Sequence, residues 1–525
     1  MYQSAVNLPE HYNASTTFID ANLEAGRGGK AAVLYGDQTF TYGDVAALVN
    51  KTGNALTRLG VQMEQRVMLL LHDSPEFVAS FFGAIRIGAI PIPTNTMLRP
   101  ADYEYLLNDS RATAVIVSEP LYENVETIRS KLKFLKHVIV VGKAPKGTIN
   151  FAEWIRSESP ELSPVDTSRD DACFWLYSSG TTGFPKGAVH LQHDMVYCAE
   201  NYARAVLDVN ESDRTFSVAK LFFAYGLGNG LYFPFYVGGT TILYPGRPEP
   251  KPIYEVVTKH RPTLFFCVPT AYAGLLAVQD TSAYDLSSVR LCVSAGEALP
   301  KALYDKWLAK WNVEILDGIG STEILHIFIS NRAKEARPGS SGKLVNGYNA
   351  KLVDEDDNEV PQGEVGNLLI RGDSICAYYW NKHTKTKETI VGEWIRTGDK
   401  YVIDQDGYFW YQGRSDDMLK AGGIWVSPVE VEATLMLHPS VLECAVIGLT
   451  DKDELVKPKA FVVLKPGCAG SPQLETELKT FVKDKIAPYK YPRWVEFTNE
   501  LPKTATGKIQ RFRLRQREAD FGNGG

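Results

Sequence analysis

Short apolar runs alternate with amphipathic runs along most of the chain, and this alternation predicts an α/β fold. Residues 75–87 are a predicted helix, because Phe77 and Phe81 fall on one helical face within an apolar stripe. Ser74 suits the capping position of this helix, and Pro75 suits its first turn. The pattern therefore predicts at least one strongly buried helix in the first part of the chain.

Two apolar runs, one continuous at 263–268 and one at 289–293 that only Arg290 interrupts, are predicted strands. Neither alternates polar and apolar residues, which indicates central strands covered on both faces. Residues 363–372 are a further predicted strand, bounded by glycine turns. The chain has 525 residues, whereas a single core stops growing at roughly 250–300 residues. We therefore expect a large, multi-lobed N-terminal domain of β-sheets flanked by helices.

The last part of the chain has the pattern of a small α+β domain. Its predicted helices and strands are 430–437, 441–448, 459–464 and 474–486. The short polar stretch 413–417 precedes them and is predicted to be a turn. We place a domain boundary near Asp416, which gives an N-terminal domain at 1–415 and a C-terminal domain at 416–525.

Composition narrows the classes of function. The net charge is −6, so a basic surface that follows nucleic-acid phosphates is not expected. No apolar stretch approaches the ~20 residues of a membrane span, and the first residues lack the pattern of a signal peptide. The seven cysteines form no CxxC pair. These features favour a cytoplasmic protein with reduced thiols.

The most informative stretch is 177–187, which follows the apolar run 174–176. It contains three glycines, four Ser or Thr hydroxyls and one lysine. Glycines allow backbone N–H groups to close around a polyanion, while hydroxyls and lysine add donors and charge. A Walker A loop is excluded, because Lys186 lies between Pro185 and Gly187 instead of following a glycine and preceding Ser or Thr. The stretch predicts a different type of phosphate-binding loop.

This loop closely resembles that of the adenylate-forming enzymes, which include acyl-CoA synthetases, luciferases and the adenylation domains of peptide synthetases. The resemblance implies that the chain binds ATP and activates a carboxylic acid as an acyl-adenylate. The residues that it assigns to the phosphates are Ser178, Ser179, Gly180, Thr181, Thr182, Gly183 and Lys186.

Further motifs of the family follow in the family's order. Residues 317–323 resemble the motif whose threonine, here Thr322, contacts the α-phosphate and whose glutamate, here Glu323, holds Mg²⁺. Mg²⁺ prefers hard oxygen ligands, and it would neutralise the triphosphate. Other motifs resemble those that contact the adenine and ribose. The residues that they assign to the nucleoside are Ser294, Ala295, Gly296, Glu297, Asp317, Asp399 and Arg414.

The resemblance also implies a two-step reaction with a moving C-terminal domain. Lys508 matches the lysine that bridges the attacking carboxylate and the α-phosphate, and Asp416 matches the hinge between the domains. Gly422 and Gly423 match the segment that borders the pantetheine arm of coenzyme A. Lysines at the position of Lys508 can be acetylated in related enzymes, so a lysine acetyltransferase is a candidate partner.

The acid-binding residues resemble those of the benzoate–CoA ligase branch. A flat apolar slot with one or two polar groups suits an aromatic acid. No additional charged residue occupies the matched positions, which favours benzoate, although hydroxybenzoates, aminobenzoates and alicyclic acids stay open. The matched positions are Ala224, Tyr225, Gly320, His326 and Ile327.

The same residues are compatible with other activities. An adenylating enzyme that loads a carrier protein, or a CoA ligase for an alicyclic or aliphatic acid, is compatible with the nucleotide motifs. An inactive nucleotide-binding protein would be expected to have lost Lys508, Glu323 or Asp399, and all three are present. A homodimer is also compatible with the sequence.

Overall fold

The computed structural model describes residues 6–178, 185–415, 417, 419–421, 424–450, 456–486, 490–503 and 509–522. Within these ranges the first part of the chain builds two mainly parallel sheets, of nine and five strands, and two antiparallel sheets, of five and three strands. The last part builds a hairpin and a three-stranded sheet. The predicted α/β architecture is therefore confirmed.

The largest sheet in the described part of the chain has nine strands. Both predicted central strands belong to it, and they are neighbours: Leu264–Cys267 and Leu291–Ser294 pair in parallel and are fully buried. In spatial order the strands are Lys343–Leu344, Ile327–Ser330, Ile315–Gly320, Leu291–Ser294, Leu264–Cys267, Arg214–Ser217, Thr240–Leu243, Ala31–Tyr35 and Gln38–Thr41.

Alternate residues of these strands enter two different cores. Leu264 and Phe266 face the main core, whereas Phe265 and Cys267 face a second core on the opposite side. Because successive side chains of a strand point to opposite faces, the sheet must be covered on both sides. The helices that supply residues to the second core are Pro250–His260, Pro269–Ala277 and Lys301–Trp311.

The second large sheet is parallel and shares the main core. Val67 and Leu69 face that core, and Met68 and Leu70 face a third core outside it. Its strands in spatial order are Ile90–Pro93, Arg66–Leu70, Ala114–Ser118, His137–Val141 and Ile149–Asn150. Helices associated with this lobe are Tyr42–Arg58, Pro75–Arg86, Pro100–Ser110, Tyr122–Glu126 and Phe151–Arg156.

The predicted helix at 75–87 is observed as Pro75–Arg86. The Ser74 hydroxyl accepts a hydrogen bond from the Phe77 backbone N–H at 3.4 Å, so the predicted cap is confirmed. The helix is buried on nearly all sides, since it packs against helix Tyr42–Arg58 within the main core.

Two antiparallel sheets complete the N-terminal lobe. The predicted strand at 363–372 is observed as Gly366–Arg371. Residues 413–414, predicted as part of a turn, instead end a strand, because Gly413 and Arg414 pair with Lys400 and Asp399.

Of the two antiparallel sheets, one comprises Tyr378–Tyr379, Lys186–Leu191 and Ala172–Ser178. The other comprises Asn349–Val353, Gly366–Arg371, Trp394–Ile403, Ile390–Val391 and Phe409–Arg414. Short helices in this lobe are Ala21–Glu24, Asp194–Cys198, Ala224–Leu227, Phe233–Val237 and His383–Thr389.

The C-terminal elements match their predicted types. Both helices begin earlier than predicted, because Ser427 and Ser471 cap them and Pro428 and Pro472 occupy their first turns. The elements have their own apolar cores, separate from those of the large sheets. They are Leu419–Ala421, Ile424–Val426, Pro428–Leu435, Val441–Thr450, Val456–Leu464, Pro472–Lys485, Trp494–Phe497 and Arg511–Gly522. Asp416 lies outside the described residues, so the boundary stays a prediction.

In the ranges that the structure describes, no helix combines the length and the apolar character needed to cross a membrane.

Candidate active site

Residues 320–327 connect the candidate phosphate-binding and acid-binding residues. Strand Ile315–Gly320 leads into a 3₁₀ turn, Thr322–Ile324, which Ser321 caps by accepting a hydrogen bond from the Ile324 backbone N–H at 3.2 Å. Leu325 then adopts φ = 71°, a left-handed conformation that reverses the chain. Thr322 and Glu323 thereby lie on one side of this reversal, and His326 and Ile327 on the other.

Glu323 contacts the strand that enters the phosphate loop. The Ser178 hydroxyl donates a hydrogen bond to Glu323 Oε1 at 2.9 Å. Ser178 also pairs with Lys186 across the antiparallel hairpin, so the two ends of the loop lie together. Burial lowers the pKa of the Lys186 ammonium, although the charge of Glu323 opposes this shift. The structure therefore brings together three of the residues that the sequence assigned to the triphosphate and its metal ion.

The segment 294–297 begins where strand Leu291–Ser294 ends. Ser294 pairs in register with Asp317 of the neighbouring strand, so both side chains lie at the carboxyl edge of the sheet. Gly296 has φ = 89°, a conformation that favours glycine. Glu297 Oε2 accepts a hydrogen bond from the Thr270 hydroxyl at 2.8 Å. Ala295 is buried between these residues.

Asp317 is a buried carboxyl whose pKa burial raises to about 8. Its Oδ2 accepts a long hydrogen bond of 3.4 Å from the Leu299 backbone N–H. Its Oδ1 and the Ser294 hydroxyl make no hydrogen bond of good geometry with any described residue, although the Ser294 side chain lies close enough to oppose part of the rise in the pKa of Asp317. Buried polar atoms without partners are uncommon, and they suit a site where a ligand supplies the missing bonds.

Asp399 and Arg414 face each other on adjacent strands. Arg414 Nη1 donates to Asp399 Oδ1 at 3.1 Å and to the Thr397 carbonyl at 3.1 Å. Gly398 has φ = 76°, and a Cβ atom there would lie 2.7 Å from Arg414 Nη2. The backbone conformation at 398 therefore favours glycine, and a Cβ atom there would displace the Arg414 guanidinium.

The predicted acid-binding residues surround a buried imidazole. His326 Nε2 lies 3.1 Å from Asn229 Oδ1 and 3.3 Å from the Tyr225 carbonyl. Its ring centroid is 4.4 Å from that of Phe233 and 5.6 Å from that of Tyr225. Burial lowers the pKa of His326 to about 3, so the imidazole is neutral near pH 7.

The other acid-binding candidates lie around this imidazole. A Cβ atom on Gly320 would lie 2.7 Å from the His326 carbonyl oxygen, so only glycine fits there. The Tyr225 hydroxyl donates to the Val293 carbonyl at 3.1 Å. Ala224 and Ile327 are buried next to Tyr225 and His326 in the sequence. All five predicted residues therefore lie in one apolar, largely aromatic region.

Three residues that contact the predicted site residues were missed by the sequence analysis. Tyr379 donates a hydrogen bond to Glu323, His190 contacts the Thr322 carbonyl, and Asn229 contacts His326. Asn229 lies in the aromatic, glycine-rich run that begins at Phe222, which was the one sequence signal for it. Nothing in the pattern near Tyr379 or His190 distinguishes them from other residues of a strand.

Several predicted residues lie outside the described part of the chain. For these the structure neither supports nor contradicts the prediction. They are Ser179, Gly180, Thr181, Thr182, Gly183, Asp416, Gly422, Gly423 and Lys508.

Comparison with known proteins places this site in a family. Residues 21–380 match the model of the AMP-binding enzyme family, and residues 430–508 match the AMP-binding enzyme C-terminal domain. The chain is 50% identical to a benzoate–CoA ligase of Thauera aromatica, and the alignment covers 97% of each protein. It is 44% identical to a 4-hydroxybenzoate–CoA/benzoate–CoA ligase of Rhodopseudomonas palustris, with 96% of this chain and 94% of that protein covered.

Solved structures of CoA ligases superpose closely on this chain. An anthranilate CoA ligase in complex with anthranoyl-AMP superposes with a TM-score of 0.94 at 48% identity, covering 98% of this chain and 99% of that one. A benzoate CoA ligase from Burkholderia xenovorans LB400 gives 0.89 at 46% identity, covering 96% and 100%. The chain therefore belongs to the AMP-binding enzyme family.

Proposed function

We propose that the protein ligates benzoate, or a closely related aromatic acid, to coenzyme A through an acyl-adenylate, with release of AMP and pyrophosphate. The observation that carries this proposal is the continuity of residues 320–327. One short segment supplies Glu323 to the triphosphate side and His326 to an aromatic acid pocket. An acid bound beside His326 would thus lie next to the nucleotide whose α-phosphate it attacks.

ATP fits the remaining contacts of the site. Lys186 and Ser178 flank the loop proposed for the phosphates, and Asp399 with Arg414 is proposed for the ribose. The adenine is proposed to contact residues 294–297 and the buried polar edge formed by Asp317 and Ser294. A ligand at this edge would supply hydrogen bonds that the described protein atoms lack.

The carboxylate of Glu323 is an oxygen ligand of the kind that Mg²⁺ prefers. Among the described residues, no group of three or more His, Cys, Asp or Glu side chains forms a protein-only metal site. Mg²⁺ commonly binds one or two carboxylates and takes its other ligands from water and nucleotide phosphates. Glu323 would hold the ion, which supplies charge neutralisation to the phosphates when bound.

The chemistry follows from the poor leaving group of a free carboxylate. A carboxylate oxygen attacks the α-phosphorus, and the bond from that phosphorus to the pyrophosphate oxygen breaks. Lys508 is proposed to stabilise the negative charge that develops there, and Thr322 to contact the α-phosphate. The thiol of coenzyme A then attacks the acyl carbon, and AMP departs with the bonding electrons. Gly422 and Gly423 are proposed to border the pantetheine arm.

Benzoate is the favoured acid because the pocket offers neutral groups. His326 is uncharged near pH 7, and Tyr225, Ala224 and Ile327 present apolar or weakly polar surface. The relatives named above act on benzoate, 4-hydroxybenzoate or anthranilate according to their names. A substituent in such a pocket changes binding by only about 1–3 kcal/mol, so close relatives of benzoate are expected to be weaker substrates.

The two-domain arrangement is part of the proposal. The match to the first family model ends at residue 380, and the match to the second begins at residue 430, so a boundary near Asp416 lies between them. The separate C-terminal cores also support this boundary. A cytoplasmic location, a homodimer and acetylation of Lys508 also stay predictions. Intact-mass measurement of natively purified protein tests the acetylation.

The test of the proposed function is CoA-dependent AMP production with a panel of acids: benzoate, hydroxybenzoates, aminobenzoates, cyclohexanecarboxylate, hexanoate and acetate. We expect the highest kcat/KM with benzoate or a close aromatic relative. Turnover with aliphatic acids alone would reject the assignment of Tyr225 and His326 to the acid pocket. Formation of acyl-AMP without thioester would indicate a carrier protein as the acceptor.

A further inference from the structure

Tyr379 contacts two residues that the proposed function assigns to magnesium and phosphate. Its hydroxyl donates a hydrogen bond to Glu323 Oε1 at 2.8 Å. The Lys186 ammonium lies 4.7 Å from the centroid of its ring, within the range of a cation–π contact. One side chain therefore touches both the acidic and the basic member of the site.

The backbone holds Tyr379 firmly in this place. Tyr379 pairs with Ala188 of the strand that begins at Lys186, and its own N–H donates to the Thr386 hydroxyl at 3.0 Å. Three residues earlier, the Cys376 N–H donates to the Glu323 carbonyl at 2.7 Å. The segment around Tyr379 is thus bonded to Lys186's strand on one side and to Glu323 on the other.

The two donors to Glu323 meet at one oxygen of its carboxylate. Tyr379 and Ser178 both donate to Oε1 of Glu323, and no described residue donates a hydrogen bond to Oε2. Two donors on one oxygen fix the rotation of the carboxylate and leave the second oxygen turned away from both.

From this geometry we propose that Tyr379 is a positioning residue for Mg²⁺–ATP: its hydroxyl orients the Glu323 carboxylate toward the metal ion, and its ring supports the Lys186 ammonium against the phosphates. The role rests on the proposed function, since it assumes that this site binds ATP. Tyr379 lies in the strand Tyr378–Tyr379, far in sequence from both Glu323 and Lys186.

Two substitutions separate the hydroxyl from the ring. Tyr379→Phe removes the hydrogen bond to Glu323 and keeps the ring under Lys186. Tyr379→Leu removes both. Tyr378→Phe is the matched control, because Tyr378 is the exposed neighbour on the same short strand. Binding of ATP is measured by titration calorimetry without acid or coenzyme A, once with excess Mg²⁺ and once with EDTA.

For Tyr379→Phe we expect about tenfold weaker binding of Mg²⁺–ATP, the size expected for one hydrogen bond to a charged group. Binding in EDTA should be unchanged, because Glu323 then has no ion to hold. Tyr379→Leu should weaken binding in both solutions by about threefold or more, since a cation–π contact is lost as well. Tyr378→Phe should bind like the unmodified protein in both.

Two results with Tyr379→Phe would overturn the proposal. If Tyr379→Phe binds Mg²⁺–ATP as tightly as the unmodified protein, the hydroxyl does not orient Glu323. If it loses affinity equally with and without Mg²⁺, Tyr379 supports the fold alone. Should the unmodified protein itself fail to bind Mg²⁺–ATP, the proposed function is rejected and this role with it. Tyr379→Phe decides the question even if Tyr379→Leu does not fold.

Discussion

At the scale of single residues, burial removes charge from two titratable groups of the site. Asp317 has a pKa of about 8 and His326 a pKa of about 3, in both cases mainly because of burial. Near pH 7 the first is mostly protonated and the second is neutral. The proposed adenine and acid sites therefore present uncharged polar atoms, and the charges of the site are left to residues nearer the phosphates and ribose.

The raised pKa of Asp317 predicts a loss of stability in mild alkali. In the folded state its pKa lies above the 3.8 of the unfolded chain, so the stabilising contribution of the proton is fully present only below pH 3.8. It declines as the pH rises and is lost once the pH has passed through about 8. Between pH 7 and pH 9 this loss amounts to about 1.4 kcal/mol. Asp317→Asn cannot ionise and should escape it.

The measurement is thermal unfolding of both proteins at pH 7, 8 and 9. We expect the midpoint of Asp317→Asn to rise relative to that of the unmodified protein as the pH increases. Because both proteins contain the same other titratable groups, the difference between their midpoints reports the ionisation of Asp317. A difference between the two midpoints that stays constant from pH 7 to pH 9 would show that Asp317 is already ionised in the folded protein.

Replacing His326 should affect the acid and spare the nucleotide. His326→Ala removes a ring that packs against Phe233 and Tyr225, and we expect kcat/KM for benzoate to fall about 10- to 100-fold. ATP affinity, measured without acid, should be nearly unchanged. His11→Ala, which removes a histidine side chain that is 76% exposed, is the control. An equal loss of acid use and ATP affinity would exclude His326 from the acid pocket.

The residues that the sequence predicted are those inside local motifs. Ser178, Lys186, Thr322 and Glu323 carry recognisable neighbours, and the structure places them together. Tyr379 lies 56 residues from its partner Glu323. It makes that contact because strand Tyr378–Tyr379 pairs with strand Lys186–Leu191, which in turn contacts the turn that carries Glu323. Local sequence patterns contain no information about such a pairing, so residues that position a site are harder to predict than residues that belong to its motifs.

At the scale of elements, a buried side chain joins the hairpin of the phosphate loop to the turn at 322–324. His190 lies on strand Lys186–Leu191, and its Nε2 donates to the Thr322 carbonyl at 2.8 Å. Its Nδ1 lies 2.7 Å from Asp194 Oδ2, and both side chains are fully buried. The ring also stacks on Phe174 of the adjacent strand. This contact fixes the distance between two elements that carry phosphate-binding candidates.

Removal of His190 should destabilise the protein by leaving Asp194 without its closest partner. Leaving a buried carboxyl short of a hydrogen-bond partner costs about 1–3 kcal/mol, so His190→Ala should lower the unfolding temperature. Asp194→Asn in the same background should recover part of the loss, because the buried carboxylate is gone. Thermal unfolding of the two single variants and the double variant measures the coupling between His190 and Asp194. If the two destabilising effects add strictly, the side chains are not coupled.

The elements that the sequence predicted well have strong periodicity and clear ends. Helix Pro75–Arg86 has a serine cap and a proline in its first turn, and its observed start agrees with the prediction. Gly413 and Arg414 were wrongly expected in a turn, since their polar and glycine-rich context suggested one. Pairing with strand Trp394–Ile403 overrides that local preference and places Arg414 opposite Asp399.

At the scale of the whole molecule, one carboxylate joins three of the elements that follow residue 417. Arg511 Nε and Nη2 donate to the two oxygens of Glu432 at 3.0 and 2.6 Å, which joins the last helix to helix Pro428–Leu435. The Val446 N–H donates to the same carboxylate at 2.7 Å and connects the sheet to it. A buried, bidentate pair of this kind keeps the C-terminal elements in one body, as a domain that moves as a unit requires.

The proposed hinge at Asp416 gives a prediction about the two half-reactions. If the C-terminal domain rotates between adenylation and thioester formation, the backbone at the hinge must adopt two conformations. Asp416→Pro fixes φ near −65°, so at most one of those conformations stays accessible. Adenylation, measured by benzoate-dependent exchange of pyrophosphate into ATP, and thioester formation from supplied benzoyl-AMP should then change unequally, by about tenfold or more relative to each other.

Asp416→Ala separates this backbone effect from loss of the carboxylate. Alanine keeps the freedom of the backbone, so both half-reactions should remain within about threefold of the unmodified protein's rates, a change of well under 1 kcal/mol in activation free energy. A parallel loss of both half-reactions in Asp416→Pro would indicate general damage to the fold. Unchanged rates in both would mean that the rotation occurs elsewhere in the chain. Only an unequal effect in the proline variant, absent from the alanine variant, supports a hinge at this position, because only the restriction of φ distinguishes the two substitutions in this way.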